Sequence, residues 1–343
     1  MSTKKIRLAT VGTGYFSQFQ YAAWRRIPDV EIVGLCSQDA LTMKQTAEQF
    51  PGVLTFNDFA TMLDQVQPDL VDIITPPPTH TSMVTDCVTR GITAICQKPF
   101  TQSYEAAERL VEVIKSHKAE VIIHENFRFQ PWYQKIKSLL DEAILGEIYQ
   151  ISYALRPGDG QGKDAYLARQ PYFQEMERFM VHETGVHLID VFRYLLGEAR
   201  TVFADLRRIN PVIKGEDAGL IILEFANGAR GLLDANRSSD HQATNRRLTM
   251  GEMRIEGEKG VLNLNGDAEI TFREHGSNHI QPIEYHWNDC DFGGDCVYEL
   301  QRHVIDQLLR NKTPVNTAEQ YLVNLAITEK AYQSNAKRQT LDL

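Results

Sequence analysis

The stretch that decides the fold is Ile6–Ser17, IRLATVGTGYFS. A short apolar run, Ile6–Val11, leads into the turn Gly12-Thr13-Gly14, and the pattern from Ser17 to Ile27 predicts a helix. The first glycine of such a turn permits a tight bend, and the second lets the backbone approach a pyrophosphate at the helix N-terminus. Ser17 stands where a third glycine or alanine is usual. A Gly-x-Gly motif alone is weak evidence for nucleotide binding. Here the motif lies between a predicted strand and a predicted helix, and this position predicts a dinucleotide site.

The same alternation continues outward from this turn to about residue 125. Near-continuous apolar strands are predicted at 30–36, 69–75, 92–96 and 120–124, with helices between them. Strands this apolar are typical of a parallel sheet that is covered on both faces. Because crossovers between parallel strands are right-handed, the sequence predicts an α/β, doubly wound parallel sheet of the Rossmann type.

The pattern of apolar and polar residues changes at about residue 147. Alternating strands joined by glycine-bearing turns are predicted at 147–156, 218–235, 253–266 and 268–275. Flanking helices are predicted at 130–145, 182–196, 294–310 and 317–335. These patterns indicate a mostly antiparallel sheet with one covered face. We therefore predict a dinucleotide-binding domain over 1–125 and a second α/β domain over 126–343, whose final helices are able to pack back on the first.

Composition excludes several classes of partner. The net charge of −9 and the lack of a basic block argue against nucleic acid or an anionic membrane as partner. Neither a signal peptide nor an apolar run of about 20 residues is recognisable in the sequence. The five scattered cysteines contain no CxxC pair and read as reduced thiols, which predicts a cytoplasmic protein.

The end of the second strand bears on which nicotinamide cofactor binds. An acidic residue usually ends this strand and holds the adenosine ribose, but here the sequence reads Cys36-Ser37-Gln38-Asp39. Ser37 does not repel a 2′-phosphate, yet no Arg or Lys follows to hold one. Asp39 is able to reach toward the ribose instead. NAD and NADP both stay open, with NAD favoured, and Ser37 and Gln38 are predicted cofactor contacts.

Two further strand ends lie at the ligand edge of such a sheet. The fourth strand ends in Thr75-Pro76-Pro77-Pro78-Thr79-His80, and the fifth ends in Gln97-Lys98-Pro99. Pro99 disfavours helical geometry at Lys98 and holds it extended, and both isomers of the bond between them stay open. A surface lysine that caps the strand is the alternative interpretation. We predict that Lys98 faces the ligand.

These motifs, together with NFRFQP (126–131), GVHLIDVFRYLLG (185–197) and AYQSNAK (331–337), occur in an order that resembles the glucose–fructose oxidoreductase/inositol dehydrogenase (Gfo/Idh/MocA) family. The resemblance spans nearly the whole chain. It implies an N-terminal Rossmann domain and a C-terminal α/β domain whose open sheet often supports dimers or tetramers. It also implies nicotinamide-dependent oxidation of a hydroxyl of a sugar, sugar acid or polyol.

The resemblance assigns roles to individual residues. Lys98 hydrogen-bonds the reacting hydroxyl, and Gln97 replaces a usual Glu at a cofactor contact. In the stretch His182-Glu183-Thr184-Gly185-Val186-His187, the family's acid falls on Glu183 and its histidine on His187. His187 binds or deprotonates the substrate hydroxyl, Glu183 orients substrate or the imidazole, and Asp190 one turn on is able to support it. No metal is predicted, because His182 and His187 are five residues apart and point in different directions from a helix.

Further contacts are predicted with less specific signals. The predicted cofactor contacts around the cleft are Gly12, Gly14, Tyr15, Phe16, Thr75, Pro76, His80, Lys98 and Asn126. The predicted substrate contacts besides Lys98, Glu183 and His187 are Arg128, for which a structural ion pair is the alternative, and Arg156. The loop 157–175 offers Lys163, Tyr166, Arg169 and Tyr172 to a polyhydroxylated or acidic substrate or to an oligomer contact. Tyr332 and Ser334 are interpreted as helix packing.

Three functions stay open on the sequence. The leading one is a sugar or polyol dehydrogenase, for which pentoses, hexoses and inositols all fit. The second is a glycosidase of the same family that retains NAD and cleaves by transient oxidation. The third is a non-catalytic regulator that senses nicotinamide, against which the presence of both Lys98 and His187 argues. The resemblance further implies a homodimer or homotetramer.

Overall fold

The computed structural model describes residues 5–343, and these form two compact units. The first comprises the residues up to Asn126 together with Val297–Val323, and the second comprises Phe127–Cys296 together with Asn324–Leu343. The chain thus first passes from one unit to the other after Asn126, where the sequence analysis drew its boundary after residue 125. No helix among residues 5–343 combines the length and the apolar character that crossing a membrane requires.

The first unit contains a six-stranded parallel sheet. Its strands are β1 (Ile6–Val11), β2 (Val30–Cys36), β3 (Leu54–Phe56), β4 (Leu70–Ile73), β5 (Thr93–Cys96) and β6 (Val121–Ile123). Their order in the sheet is β3-β2-β1-β4-β5-β6, and every pair is parallel. The order reverses between β1 and β4, so the carboxyl ends of these two strands flank the crevice in which ligands of this fold bind. The predicted Rossmann architecture is confirmed.

Helices connect these strands. They are α1 (Ser17–Trp24), α2 (Ala40–Ala47), α3 (Phe59–Val66), α4 (His80–Thr89) and α5 (Tyr104–Ser116). In α5 the buried Ala107, Leu110, Val111 and Ile114 repeat at helical spacing. Ser103 caps this helix, because its side chain accepts a hydrogen bond from the backbone N–H of Ala106 at 3.2 Å.

The second unit contains a nine-stranded sheet. Its strands are β7 (Ile148–Leu155), β8 (Ala199–Arg207), β9 (Ala218–Phe225), β10 (Arg230–Asn236), β11 (Gly251–Gly257), β12 (Gly260–Leu264), β13 (Ile270–Glu274), β14 (Gln281–Ile283) and β15 (Leu341–Asp342). Their order is β14-β13-β12-β11-β7-β10-β9-β8-β15. All neighbours are antiparallel except β7 and β10, which run parallel at the centre. The sheet is mostly antiparallel, as predicted, but it is not the simple meander that the turns suggested.

One face of this sheet is buried. Alternate residues of β7, namely Ile151, Tyr153 and Leu155, point into the core, while their neighbours are partly exposed. The helices α6 (Pro131–Asp141) and α7 (Val186–Leu196) supply the rest of that core. Nine of the eleven residues of α7 are buried, so this helix lies within the core rather than on it.

Two more helices follow, α8 (Cys296–Leu309) and α9 (Ala318–Lys337). Four strands were not predicted from the sequence. Three of them are short, namely β3 and β14 with three residues each and β15 with two. The fourth is β8, although it alternates buried and partly exposed residues from Thr201 to Asp205. The five cysteines form no disulfide within residues 5–343, and all except Cys290 are buried.

Candidate active site

The turn between β1 and α1 has the geometry of an anion cradle. Gly12 has a φ of +111°, and a Cβ at this position would lie 2.7 Å from the backbone carbon of Ile74, so only glycine fits. Gly14 is exposed, and a Cβ there would meet nothing within 4 Å. The N-terminus of α1 opens directly behind this space. A pyrophosphate fits here, because the backbone is unobstructed and the helix end favours negative charge.

Ser17 closes this turn on its own helix. Its side chain is buried and donates a hydrogen bond to the carbonyl oxygen of Gly14 at 2.6 Å. The small residue at the third position of the motif therefore stabilises the start of the helix through this hydrogen bond. Tyr15 is exposed, and the ring of Phe16 meets the buried ring of His124 edge to face at 6.3 Å. The predicted contacts Tyr15 and Phe16 thus border the turn.

Ser37, predicted at the ribose end, belongs to a cluster of hydroxyl groups. The Thr13 Oγ1 atom lies 2.7 Å from Ser37 Oγ and 2.6 Å from Thr42 Oγ1. Asp39 caps α2, since its Oδ1 atom accepts hydrogen bonds from the backbone N–H groups of Leu41 and Thr42. The Thr42 hydrogen bond is the largest cause that lowers the pKa of Asp39. The Asp39 carboxylate therefore caps α2 in addition to any contact with the cofactor. The neighbouring Gln38 is exposed.

Lys98 lies two residues beyond the end of the buried strand β5 and is half-buried. Its peptide bond to Pro99 is cis, which settles the isomer that the sequence left open. Its backbone N–H donates to the Oε1 atom of Gln97 at 2.7 Å. The side chain of Gln97 thus fixes the main chain at the residue that follows it.

His80, at the start of α4, joins the two strand-end loops. Its Nε2 atom lies 2.7 Å from the carbonyl oxygen of Thr75, and its Nδ1 atom lies 2.9 Å from the carbonyl oxygen of Pro99. Burial lowers the pKa of this imidazole. Because the ring is fully buried, His80 holds the loop after β4 against the turn that contains Lys98. Pro76 is exposed and Thr75 is half-buried on the first of these loops, and Asn126 is buried after β6.

In the second unit, His187 lies in the first turn of α7 and is buried. The ring of Phe127 stacks on its imidazole with a centroid distance of 4.1 Å and an angle of 7° between the planes. Phe127 begins a short 3₁₀ turn, Phe127–Phe129, that packs against α7. The imidazole plane is therefore fixed by a neighbouring ring, a contact that the sequence analysis did not foresee.

Glu183 lies in a π-helical turn, Val181–Gly185, that precedes α7. The sequence predicted an α-helix from residue 182, so the angular argument against His182 and His187 as joint metal ligands does not hold for this turn. At the start of this turn, the buried carboxylate of Glu216 accepts hydrogen bonds from the backbone N–H groups of Phe179 and Val181. The hydroxyl of Tyr332 donates to the same carboxylate at 2.6 Å. π-Helical turns of this kind occur often at functional sites.

Arg128 makes the ion pair that the sequence analysis gave as its alternative role. Its Nε and Nη2 atoms donate to the two oxygens of Asp190 at 2.7 and 2.5 Å. Asn324 donates a further hydrogen bond to the Oδ1 atom of Asp190 at 2.6 Å. Asp190, predicted as a support for His187, thus anchors the segment that begins the second unit. Ser334 accepts from the backbone N–H of Ala204, in keeping with a packing role.

The loop 157–175 is tied to the sheet by a buried arginine. Arg237, just after β10, donates from Nε and Nη2 to the two oxygens of Asp159 at 3.1 and 2.7 Å. It also donates to the hydroxyl of Tyr166 at 2.9 Å and to Thr184 in the π-helical turn at 2.7 Å. This single guanidinium therefore connects the loop with the segment that carries Glu183.

The other predicted residues of this region divide into two groups. Tyr166 is buried against Arg237, and Arg169 lies 3.8 Å from the carboxylate of Asp159. Lys163 and Tyr172 are exposed. Arg156, which directly follows β7, forms an ion pair of 2.6 Å with Asp234 of the neighbouring strand β10.

One group of side chains with metal-ligating atoms, Cys290, Asp291 and Asp295, lies together within residues 5–343, with these atoms within 4.8 Å of one another. Neither His182 nor His187 belongs to it. Exposed acidic residues often lie close without an ion, so this cluster carries no assignment.

Several functional residues escaped the sequence analysis. Asp72 lies fully buried in β4, and Gln20 and Trp24 of α1 donate hydrogen bonds to it. A charged residue inside an otherwise apolar strand was a readable signal for Asp72. Arg237 and Glu216 gave no signal, because each lies just outside a predicted strand, where charged residues are ordinary.

The cradle at α1, the doubly wound sheet and the lysine at the carboxyl edge define the class of nicotinamide-dependent oxidoreductases. Residues 6–125 match the model described as "Oxidoreductase family, NAD-binding Rossmann fold" of GFO/IDH/MocA, and residues 133–263 match the GFO/IDH/MocA C-terminal domain. The chain belongs to the GFO/IDH/MocA family of oxidoreductases, as the sequence motifs implied, and NAD is the cofactor of its Rossmann domain.

Three relatives align over nearly their full length. The chain is 28% identical to a D-apiose dehydrogenase of Rhizobium rhizogenes over 351 residues, which cover 100% of this chain and 99% of the relative. It is 29% identical to a D-apiose dehydrogenase of Paraburkholderia graminis, covering 100% of this chain and 91% of the relative. A crystal structure of an oxidoreductase from Agrobacterium radiobacter in complex with NAD+, L-tartaric acid and magnesium superposes with a TM-score of 0.88 at 28% identity, covering 99% and 98% of the two chains.

Proposed function

We propose that the protein oxidises a hydroxyl of a sugar, sugar acid or polyol and uses NAD+ as the hydride acceptor. The observation that carries this proposal is the full-length likeness to two D-apiose dehydrogenases. The cradle formed by Gly12 and Gly14 supports it, since the space in front of α1 suits the cofactor's pyrophosphate. Within the sugar class, the likeness favours a pentose or branched pentose.

The reaction removes a hydride from the carbinol carbon and a proton from its oxygen. NAD+, when bound, supplies the acceptor for the hydride. We assign the proton to the protein's own side chains, with the Lys98 amine and the His187 imidazole as hydrogen-bond partners and acceptors for the hydroxyl proton. The Gln97 contact to the Lys98 main chain supports the first role, and the Phe127 stack supports the second.

The remaining residues have positioning roles in this proposal. Glu183 orients the substrate or the His187 imidazole from the π-helical turn, and Thr75 with Pro76 borders the nicotinamide end of the cleft. His80 acts by holding that loop rather than by touching the cofactor, since its ring is fully buried. Arg156 has an exposed part besides its ion pair with Asp234 and is the cation available to an acidic substituent.

A direct test compares substrates and one matched pair of variants. Pentoses, branched pentoses, hexoses and inositols are assayed with NAD+ and NADP+ separately, and growth of the reduced nicotinamide absorbance is recorded. Lys98→Met should abolish turnover while the dissociation constant for NAD+ stays within about threefold of the wild type. Lys312→Met, at an exposed position, is the control and should leave both unchanged. Hydrolysis of a chromogenic glycoside without net NADH would overturn the dehydrogenase assignment in favour of the glycosidase.

We further propose that the exposed face of the nine-stranded sheet pairs with a second copy of the chain. Partly exposed apolar side chains lie beside one another on three strands, where Phe203 faces Ile222 and Ile222 faces Leu232. An apolar row of this kind on an open sheet is typical of an interface. Ile222→Lys should reduce the mass measured by sedimentation to that of a smaller species, and an unchanged assembly would rule out this face.

A further inference from the structure

A chain of buried side chains, joined by hydrogen bonds, runs through the first unit from Asp72 to the main chain of Lys98. Gln20 donates through Nε2 to both oxygens of Asp72 at 3.0 Å, and Trp24 donates through Nε1 to Oδ2 at 2.7 Å. Gln97 then donates through Nε2 to the Oε1 atom of Gln20 at 3.2 Å. The Oε1 atom of Gln97 finally accepts from the backbone N–H of Lys98 at 2.7 Å. The side chains of Asp72, Gln20, Trp24 and Gln97 are all buried.

The direction of this chain is fixed by its first member. An ionised carboxylate only accepts hydrogen bonds, so the amide nitrogen of Gln20 has to face Asp72 and its oxygen has to face Gln97. That oxygen needs a donor, which obliges Gln97 to present its nitrogen to Gln20. The oxygen of Gln97 is then left for the Lys98 N–H. A glutamate at position 97 has no donor to offer when ionised and would place its charge against the Gln20 oxygen.

The chain also connects two parts of the cofactor cleft. Gln20 and Trp24 lie on α1, the helix whose first turn forms the phosphate cradle. Asp72 lies inside β4, and Gln97 directly follows β5. The position of α1 is thereby linked to the backbone that presents the lysine. The bonds among the four side chains are buried, so water does not easily replace one that is lost.

We propose that Asp72 is a positioning residue for Lys98 that acts through Gln20 and Gln97, and that the carboxylate at position 72 is the reason for an amide at position 97. The proposal rests on the proposed function only where turnover is the readout. It implies that the carboxylate can be moved from position 72 to position 97 without loss of the hydrogen-bond chain. When Asp72→Asn and Gln97→Glu are combined, the new amide at position 72 donates to Gln20, and the flipped Gln20 donates to the new carboxylate at position 97. The backbone N–H of Lys98 then still finds an acceptor.

A double-mutant cycle tests this reversal with Asp72→Asn, Gln97→Glu and the double variant. Burial raises the pKa of Asp72 to about 7. The assays therefore run at about pH 8.5, where the native carboxylate is ionised. Gln97→Glu alone should lower kcat about tenfold or more and lower the melting temperature, because two carboxylates then face one amide. The double variant should return both quantities to within about threefold and about 3 °C of the wild type. The substrate KM should move less than kcat throughout, since the Lys98 side chain is displaced but not removed.

Two controls distinguish an effect of the hydrogen-bond chain from an effect of the changed charge alone. Asp72→Asn combined with Gln65→Glu, an exposed position on α3, makes the same change in charge and should show no rescue. In a Gln20→Met background the coupling between positions 72 and 97 should vanish, because the connecting amide is gone. The proposal is overturned if Gln97→Glu alone behaves as the wild type, if the two effects simply add, or if coupling persists without Gln20.

The failure of the proposed function has a different signature. In that case the wild type itself shows no alcohol oxidation. The melting temperatures and the NAD+ dissociation constants of the same variants still complete the cycle. Rescue of these two quantities in the double variant supports the hydrogen-bond chain, and their additivity overturns it.

Discussion

The ring of Phe127 lies flat against the imidazole of His187, with a centroid distance of 4.1 Å and an angle of 7°. Both rings are buried in the second unit. The stack leaves the imidazole little freedom to rotate, so the direction of its nitrogens is set by a residue 60 positions earlier in the chain. A proton acceptor gains from such fixation, because a small misorientation weakens its hydrogen bond in the transition state.

Phe127→Leu should therefore impair turnover more than stability. Leucine keeps apolar volume at this position but removes the flat contact, and we expect kcat to fall about tenfold with an unchanged NAD+ dissociation constant. Steady-state kinetics and a cofactor titration measure the two effects. Phe225→Leu is the matched control, since Phe225 is also buried in the same core, on β9. Equal losses of kcat in both variants would show that the stack has no specific role.

Substitution of the two glycines of the cradle by alanine should have different effects. Gly12→Ala forces a Cβ within 2.7 Å of the Ile74 backbone at a φ of +111°, so we expect a lower melting temperature and loss of NAD+ binding. Gly14→Ala meets nothing within 4 Å in the protein. Its cost should be confined to the cofactor, with weaker NAD+ binding and a melting temperature unchanged in the absence of NAD+. Calorimetric titration and a thermal melt separate the two. Unaltered NAD+ affinity in Gly14→Ala would place the pyrophosphate elsewhere.

The sequence was sufficient for the parts of the fold that depend on local pattern. The run Ile6–Val11 and the turn after it predicted strand, cradle and helix, because apolar periodicity and glycine placement act over a few residues. The pairing of β7 with β10 is different, since a parallel neighbour 80 residues away leaves no trace in either strand. The strand β3, with three residues, is too short to carry a periodic signal.

The candidate site divides in the same way. Lys98 was recognisable because a proline and a buried strand fix its backbone within two residues. The partners that hold the site are distant in sequence, as Gln20 is from Asp72 and Gln97, and side-chain networks of this kind follow only from three-dimensional placement. The π-helical turn at Glu183 also escaped prediction, because a turn of five residues within a helical pattern is too short to carry a periodic signal of its own.

The buried ion pair of Arg237 should carry a large share of the stability of the second unit. The guanidinium is fully buried, and its removal leaves the partly exposed Asp159 with the more distant Arg169, 3.8 Å away, as a charge partner. Loss of one member of a buried pair costs about 3–5 kcal/mol. We therefore expect Arg237→Met to lower the melting temperature by roughly 10 °C. Because Arg237 also holds Thr184, we expect the substrate KM to rise in protein that remains folded.

An exposed ion pair in the same sheet provides the control for this prediction. Arg254 pairs with Glu256 at 2.7 Å, and the two side chains are 47% and 39% exposed. Such pairs contribute about 0–1 kcal/mol, so Arg254→Met should change the melting temperature by no more than about 3 °C. Similar shifts in the two arginine variants, measured by differential scanning calorimetry, would contradict the importance assigned to the buried pair.

The burial of Asp72 should make stability depend on pH in a defined direction. Desolvation raises the pKa of this carboxyl from 3.8 to about 7 in the folded protein. Between these two values the unfolded chain has released the proton and the folded chain still holds it. The free energy of unfolding therefore falls as pH rises through this window, by at most about 1.4 kcal/mol per unit for this group. The neighbouring Tyr21 and Cys96 stay neutral here, because burial raises the pKa of each.

Asp72→Asn removes this one titration and leaves the others in place. The free energy of unfolding of the variant minus that of the wild type should consequently increase from about pH 4 to about pH 7 and then stay level. Urea denaturation at several pH values in this range measures the difference directly, and Asp64→Asn, at an exposed position on α3, is the control. A difference that is constant with pH, or that shrinks as pH rises, would mean that the carboxyl is ionised throughout and that its hydrogen bonds from Gln20 and Trp24 outweigh its burial.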